Sequence, residues 1–184
     1  MITATLTSPE ATGRFARLLA ARLTAPALVT LRGDLGTGKT TVVRDVFEAL
    51  GVDRVVASPS FTLAQSYVGR DGLRLHHLDL YRLAPGADVE LFAWEDYLDG
   101  SALTFVEWPE AGAAQLPPAE VDLLLSHRSL DSRGLTVRAD PALEAVLADE
   151  LAVVDGVSDV ALTDVGPAGD GPSPGLAAKG TGQT

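Results

Sequence analysis

Eight consecutive residues carry the clearest chemistry in this chain of 184: Gly33, Asp34, Leu35, Gly36, Thr37, Gly38, Lys39 and Thr40. They match G-x-x-x-x-G-K-[ST], a pattern whose backbone N–H groups wrap a phosphate. The glycines allow the inward bend because no Cβ stands in the way, and a helix opening near Lys39 aims its positive dipole end at the same point. Lys39 then supplies a compact cation for the β- and γ-phosphates, and the Thr40 hydroxyl a ligand for Mg2+. Lysine usage agrees: Lys39 and Lys179 are the only lysines, against twelve arginines. One ammonium is thus reserved for a place deep among phosphates.

The guanine reader of GTPases needs Asn or Thr, then Lys, then Asp two residues on. The chain has no asparagine, and neither lysine is followed two residues later by aspartate. ATP is therefore the expected nucleotide.

A nucleotide-bound Mg2+ needs a second protein oxygen from the end of a neighbouring buried strand. Two acids qualify, Asp79 after Leu73–Leu78 and Glu107 after Leu103–Val106. Glu107 fits better, since four largely apolar residues lead straight into it. Asp79 heads Asp79-Leu80-Tyr81-Arg82, where a helix-capping role competes. Trp108 reads as core or interface. His76 and His77 alternate along a strand, so one is expected to point inward and one outward, and neither is assigned to catalysis.

These residues need a scaffold. Ser8-Pro9-Glu10 starts a helix, with Ala11, Phe15, Leu18 and Leu19 on its apolar stripe. Ala27–Leu31 reads as a buried strand leading into the glycine loop. Thr40–Leu50 returns to helix, stopped by Gly51. Phe61–Val68 and Leu73–Leu78, joined by Gly69-Arg70-Asp71-Gly72, form an antiparallel hairpin. Glu90–Leu98 is expected as a short helix, Leu103–Val106, Val121–Leu125 and Leu135–Arg138 as strands, and Pro141–Leu151 as a helix. The expected fold class is α/β: a P-loop NTPase-like sheet with helices on both faces and an inserted antiparallel hairpin. Residues 1–154 form the domain, and 155–184, rich in glycine, proline and alanine, an acidic disordered tail.

Composition narrows the function. At 46% hydrophobic and 21% charged residues the chain can bury a core. The absence of cysteine excludes disulfides, thiolate metal sites and a cysteine nucleophile, and three histidines argue against a His-rich zinc centre. No apolar run approaches the ~20 residues that cross a bilayer, and Met1–Pro9 lacks a signal-like pattern, so a cytoplasmic protein is expected. Net charge is -11, but residues 139–184 hold eight acids and one base, leaving 1–138 only mildly acidic. No basic face for gripping nucleic acid is visible.

Four blocks in order carry a family resemblance: Gly33 to Thr41, Ser58-Pro59-Ser60-Phe61-Thr62-Leu63, His77 to Leu83, and Val106-Glu107-Trp108-Pro109-Glu110. Together they resemble the TsaE (YjeE) family of bacterial P-loop ATPases of threonylcarbamoyladenosine (t6A) tRNA modification, across roughly Ser8–Leu125. The resemblance implies ATP and Mg2+ as cofactors, bound by Gly33–Thr41. It implies TsaD and TsaB as partners, and tRNA reached only through their complex. It places Thr40 and Glu107 on the metal, Asp79 near the γ-phosphate on metal or attacking water, Ser60 and Thr62 in a switch-like loop, and Trp108 beside the site or at a partner surface. The family usually has alanine at Thr37 and commonly glycine at Ala93.

A small-molecule kinase on the same scaffold is the alternative, with Arg70, Arg74 or Arg82 recruited to an acceptor pocket. A nucleotide-dependent binding module without turnover is a third reading. The oligomeric state is left open.

Overall fold

The computed structural model describes residues 1–83 and 92–163. Among them are eight strands and three α-helices, in the order β1 (Ile2–Leu6), α1 (Pro9–Ala20), β2 (Ala27–Arg32), α2 (Lys39–Ala49), β3 (Ala64–Val68), β4 (Arg74–Asp79), β5 (Leu103–Glu107), β6 (Val121–His127), β7 (Arg133–Arg138), α3 (Pro141–Leu151) and β8 (Val157–Leu162). All strands join one mixed sheet in the order β3-β4-β5-β2-β6-β7-β1-β8. The central four, β4, β5, β2 and β6, run parallel; both flanks are antiparallel. The expected hairpin is therefore β3–β4, and it forms one edge of the main sheet rather than a separate layer.

Local chemistry explains the helices. The Ser8 hydroxyl accepts the Ala11 N–H at 3.2 Å and Pro9 opens α1. Asp140 caps α3 through the N–H groups of Ala142 and Leu143. Gly38, at φ 101°, caps α2, and Gly51, at φ 90°, follows its end.

The layering differs from expectation. Buried residues of all three α-helices share one core with Val29, Leu31, Leu75 and Phe105 of the sheet. Strand alternation puts Leu28, Leu78 and Val106 on the opposite face, in a smaller core with Leu80 and Trp94. No α-helix among the described residues contributes to that second core. It is closed instead by short 3-10 turns at Trp94–Asp96 and Pro109–Gly112.

Three further expectations change. Of the proposed helix Glu90–Leu98, residues 90 and 91 lie outside the described residues, and the rest makes only the turn at Trp94–Asp96. Trp94 fills the second core while Phe92 and Tyr97 stack at 5.2 Å, so these apolar side chains serve an irregular lid and not a helical stripe. Ala93 sits at φ -73°, a conformation that needs no glycine. His76 and His77 are both buried, because β4 is an interior strand covered on both faces.

The chain ends also behave differently. No element was expected at Ile2–Leu6, yet Ile2, Ala4 and Leu6 alternate inward to form β1. The ordered domain does not stop at 154: Val157–Leu162 pairs with β1 as β8, inside the segment assigned to the tail. Backbone pairing makes this strand, with Val157 and Val160 only partly buried. The remainder of that segment, 164–184, lies outside the described residues.

No helix among the described residues is long and apolar enough to cross a membrane. Gly156 O accepts the Thr7 N–H at 2.8 Å, and Thr163 N–H reaches Met1 O at 2.9 Å. A chain ending after Asp155 loses these bonds and the β1–β8 ladder. It is expected to be less stable than one ending after Thr163 by at least about 1 kcal/mol, measured by urea denaturation.

Candidate functional site

The parallel register sets the site. Leu31 stands opposite Glu107, and Glu107 opposite Asp79, so the ends of β2, β5 and β4 come level on one edge of the sheet. The glycine loop leaves β2 at that edge and enters α2. In a parallel sheet this is where ligands bind. A cleft of about 310 Å³ opens there, lined by loop residues Leu35, Gly36 and Gly38, by Lys39, Thr40 and Thr41, and by Ser58, Ser60, Asp79, Tyr81, Glu107 and Trp108.

Close packing dictates the loop's composition. Gly33 lies at φ 126°, and a Cβ there would meet Leu125 O at 2.0 Å. Gly36 and Gly38 also adopt positive φ. Thr37 is buried, and its hydroxyl donates to Asp34 O at 2.9 Å, so threonine braces the loop from within. Two residues of the β6–β7 hairpin hold the outer side: Arg133 Nε donates to Thr37 O at 3.1 Å, and His127 Nε2 lies 3.2 Å from Leu35 O.

Lys39 is 4% exposed. Its Nζ donates to Gly33 O at 2.6 Å and Asp34 O at 2.9 Å, and lies 3.8 Å from the Trp108 ring centre. Burial pulls its pKa below the ordinary lysine value, opposed by the charges of Glu107, Asp79, Asp34 and Glu110. Trp108 reaches this position because it adopts the left-handed conformation at φ 58°, directly after β5. Tyr81 packs against that indole with ring centres 5.0 Å apart.

The two acids are held differently. Glu107, 2% exposed, accepts the Thr40 hydroxyl at 2.8 Å, with His77 Nε2 also 2.8 Å from the same oxygen, Oε1. Asp79, 3% exposed, accepts the hydroxyls of Ser58 and Ser60 at Oδ2 and the Tyr81 N–H at Oδ1, 3.0 Å away. Oδ1 thus braces a turn at Tyr81 and Arg82; no helix for it to cap begins there among the described residues.

Most of the sequence-assigned residues converge here. Asp34 is exposed and contributes its carbonyl. Thr62 is exposed, does not line the cleft, and bonds Pro59 O at 3.5 Å. Sequence reasoning left Ser58, His77, Tyr81, His127 and Arg133 out of the site. Ser58 and His77 lay within the quoted blocks, but nothing local marks His127 or Arg133, because strand pairing delivers them. The arginines weighed for an acceptor pocket are engaged elsewhere: Arg74 pairs with Asp99 at the far end of β4, Arg70 lies in the β3–β4 turn, and Arg82 stacks on Phe61 at 4.2 Å.

A glycine loop with positive φ at Gly33, Gly36 and Gly38, a helix N-terminus and a buried ammonium together suit a polyanion. The Thr40 hydroxyl and Glu107 carboxylate, with Asp79 beside them, are hard oxygen donors of the kind Mg2+ prefers. No group of three or more His, Cys, Asp or Glu that could hold a metal occurs among the described residues. A cation completed by ligand phosphates and water requires none.

Fold and cleft define a mixed-sheet α/β protein with a glycine loop that enters a helix N-terminus beside two strand-end acids. A family model, "Threonylcarbamoyl adenosine biosynthesis protein TsaE", matches residues 6–135, and the chain belongs to this TsaE family. A Bacillus subtilis protein named tRNA threonylcarbamoyladenosine biosynthesis protein TsaE is 35% identical over 153 residues, covering 83% of this chain and 94% of that one. The Haemophilus influenzae protein of the same name is 38% identical over 109 residues, covering 59% and 68%. The crystal structure of Bacillus subtilis YdiB superposes with a TM-score of 0.64 and 31% identity, covering 83% of this chain and 96% of that one.

Gly33→Ala is expected to destabilise the fold by more than about 2 kcal/mol, from strain at positive φ plus the collision with Leu125 O; urea denaturation measures it. Lys39 gives a pH signature. The folded chain holds its proton less tightly than the unfolded chain, so stability rises as pH climbs from the lowered folded value towards 10.5. Lys39→Met should remove that rise, which paired melts from neutral to alkaline pH measure.

Proposed function

We propose that this protein is a P-loop NTPase-type, Mg2+-dependent ATPase of the cytoplasm that supports formation of t6A at position 37 of ANN-decoding tRNAs, acting on a complex of TsaB and TsaD. Membership of the TsaE family and the names of its relatives support the pathway. One observation carries the enzymatic part: the Thr40 hydroxyl and the Glu107 carboxylate meet at 2.8 Å directly beneath the loop that holds Lys39.

Loop N–H groups and the start of α2 cradle the phosphates, with Gly33–Thr41 as the binding run. Lys39 has three N–H donors and spends two on loop carbonyls, so its ammonium stands at the cleft wall, ready to turn to the β- and γ-phosphates. Thr40 and Glu107 would hold Mg2+, which when bound neutralises charge on the phosphate oxygens. Asp79 would orient the attacking water, its carboxylate steadied by Ser58 and Ser60. Ser60, on a loop between α2 and β3, is placed to respond to the γ-phosphate; Thr62, outside the cleft, is left with at most an indirect part in that loop. Trp108 covers Lys39 and offers an aromatic face at the cleft mouth. The kinase alternative lacks support, since Arg70, Arg74 and Arg82 do not line the cleft.

Calorimetry of ATP with Mg2+ into the folded protein tests the binding step, and absence of heat sinks the proposal. Lys39→Ala should abolish measurable affinity. Thr40→Ala and Glu107→Ala should slow turnover at least ~10-fold while weakening binding less. Normal turnover by Glu107→Ala together with loss in Asp79→Ala would transfer the metal role to Asp79. Phosphate release assayed with and without TsaB and TsaD tests the partner reading: an acceptor-dependent product other than phosphate would favour a kinase, and binding without turnover in any mixture a regulatory module.

A further inference from the structure

His77 is fully buried, an unusual place for an imidazole that the reaction does not require to touch substrate. It extends from β4 onto the helix-facing side of the sheet, with the Phe47 ring edge-on at 6.2 Å between centres. Its Nε2 lies 2.8 Å from Glu107 Oε1, and its Nδ1 is buried with no hydrogen-bond partner. A carboxylate has no hydrogen to give, so Nε2 carries the N–H and donates it.

Thr40 donates to that same oxygen at 2.8 Å. Two donors, one on β4 and one on α2, therefore fix Oε1, and neither competes for Oε2. Once Thr40 turns a lone pair towards a cation, its hydroxyl geometry is shared between two tasks. His77 makes one task only. Its other nitrogen has no partner, so the bond to Glu107 is what accounts for a polar ring at this apolar position.

Resting on the ATPase reading above, we propose that His77 is a positioning residue: its Nε2–H orients the Glu107 carboxylate so that Oε2 is presented to the nucleotide-bound cation. Ligand-bearing groups are commonly aimed by such hydrogen bonds, whose loss costs roughly 10- to 100-fold in metal affinity or activity.

The test compares His77→Gln, whose amide nitrogen reaches about as far as Nε2, with His77→Asn, which is too short to reach Glu107. Two quantities are read for each: affinity for ATP in EDTA by calorimetry, and Mn2+ binding to the protein–ATP complex by electron paramagnetic resonance. Wild-type affinity for metal-free ATP with Mn2+ binding weakened roughly 10-fold or more in His77→Asn, and largely restored in His77→Gln, is the expected result. If asparagine unfolds the chain, His77→Leu, which keeps the packing on Phe47, takes its place. Unchanged Mn2+ affinity in a variant that cannot reach Glu107 overturns the inference while leaving the ATPase reading intact. Equal loss in the glutamine and asparagine variants also overturns it, as does a parallel fall in metal-free ATP affinity, which marks a purely structural role. Wild-type protein that binds ATP but shows no Mn2+ binding would remove both this inference and the Mg2+-dependent reading.

Discussion

The hydrogen bond from Thr40 to Glu107 joins the two halves of the site, and the rest of the architecture serves to make it possible. Thr40 belongs to the first turn of α2 and Glu107 to the last residue of β5, 67 positions apart. They meet because β2 and β5 pair in parallel with Leu31 opposite Glu107. A one-residue slip would turn Glu107 to the other face of the sheet, among the apolar residues around Leu28 and Trp94. Removing one partner of a buried charge typically costs about 3–5 kcal/mol, so the register, the burial and the donors from Thr40 and His77 are mutually dependent.

The same logic organises Asp79 and Lys39. Asp79 is level with Glu107 across the β4–β5 pair, and its two oxygens are divided between serine hydroxyls and a backbone N–H. Lys39 is saturated on one side by carbonyls of its own loop and roofed by Trp108. Each charged group is thus buried with hydrogen-bonding or aromatic partners. Placing the three described α-helices on one face fits this arrangement: that face supplies α2 and the loop, while among the described residues only short turns close the small core on the other.

Much of the cleft could be read directly from the chain. The glycine-lysine-threonine spacing is a local pattern, and Gly33, Gly36 and Gly38 do adopt the positive φ that it anticipates. Glu107 and Asp79 were legible as candidates because each acid ends an apolar strand, and the parallel register brings both to the cleft. Thr62 neighbours Ser60 in sequence but is exposed outside the cleft, its hydroxyl bonded back to Pro59 O, so it belongs to the loop and not to the cleft wall. His127 and Arg133 were invisible, since their contacts with the loop depend on where β6 and β7 lie. β8 was missed because an edge strand held by backbone bonds leaves almost no hydrophobic period in its sequence.

What the sequence determined by itself is the chemistry within one turn or loop: helix caps, the glycine bend, the lysine that follows it and the strand-end acids. These follow from side-chain type and the short-range sterics of φ and ψ. What only the tertiary structure decided is which acid Thr40 meets, that His77 stands behind it, that the helices share one face, and that the ordered chain runs past Asp155. Those outcomes rest on strand register and packing between residues far apart, and the free energy of such contacts has no local signature.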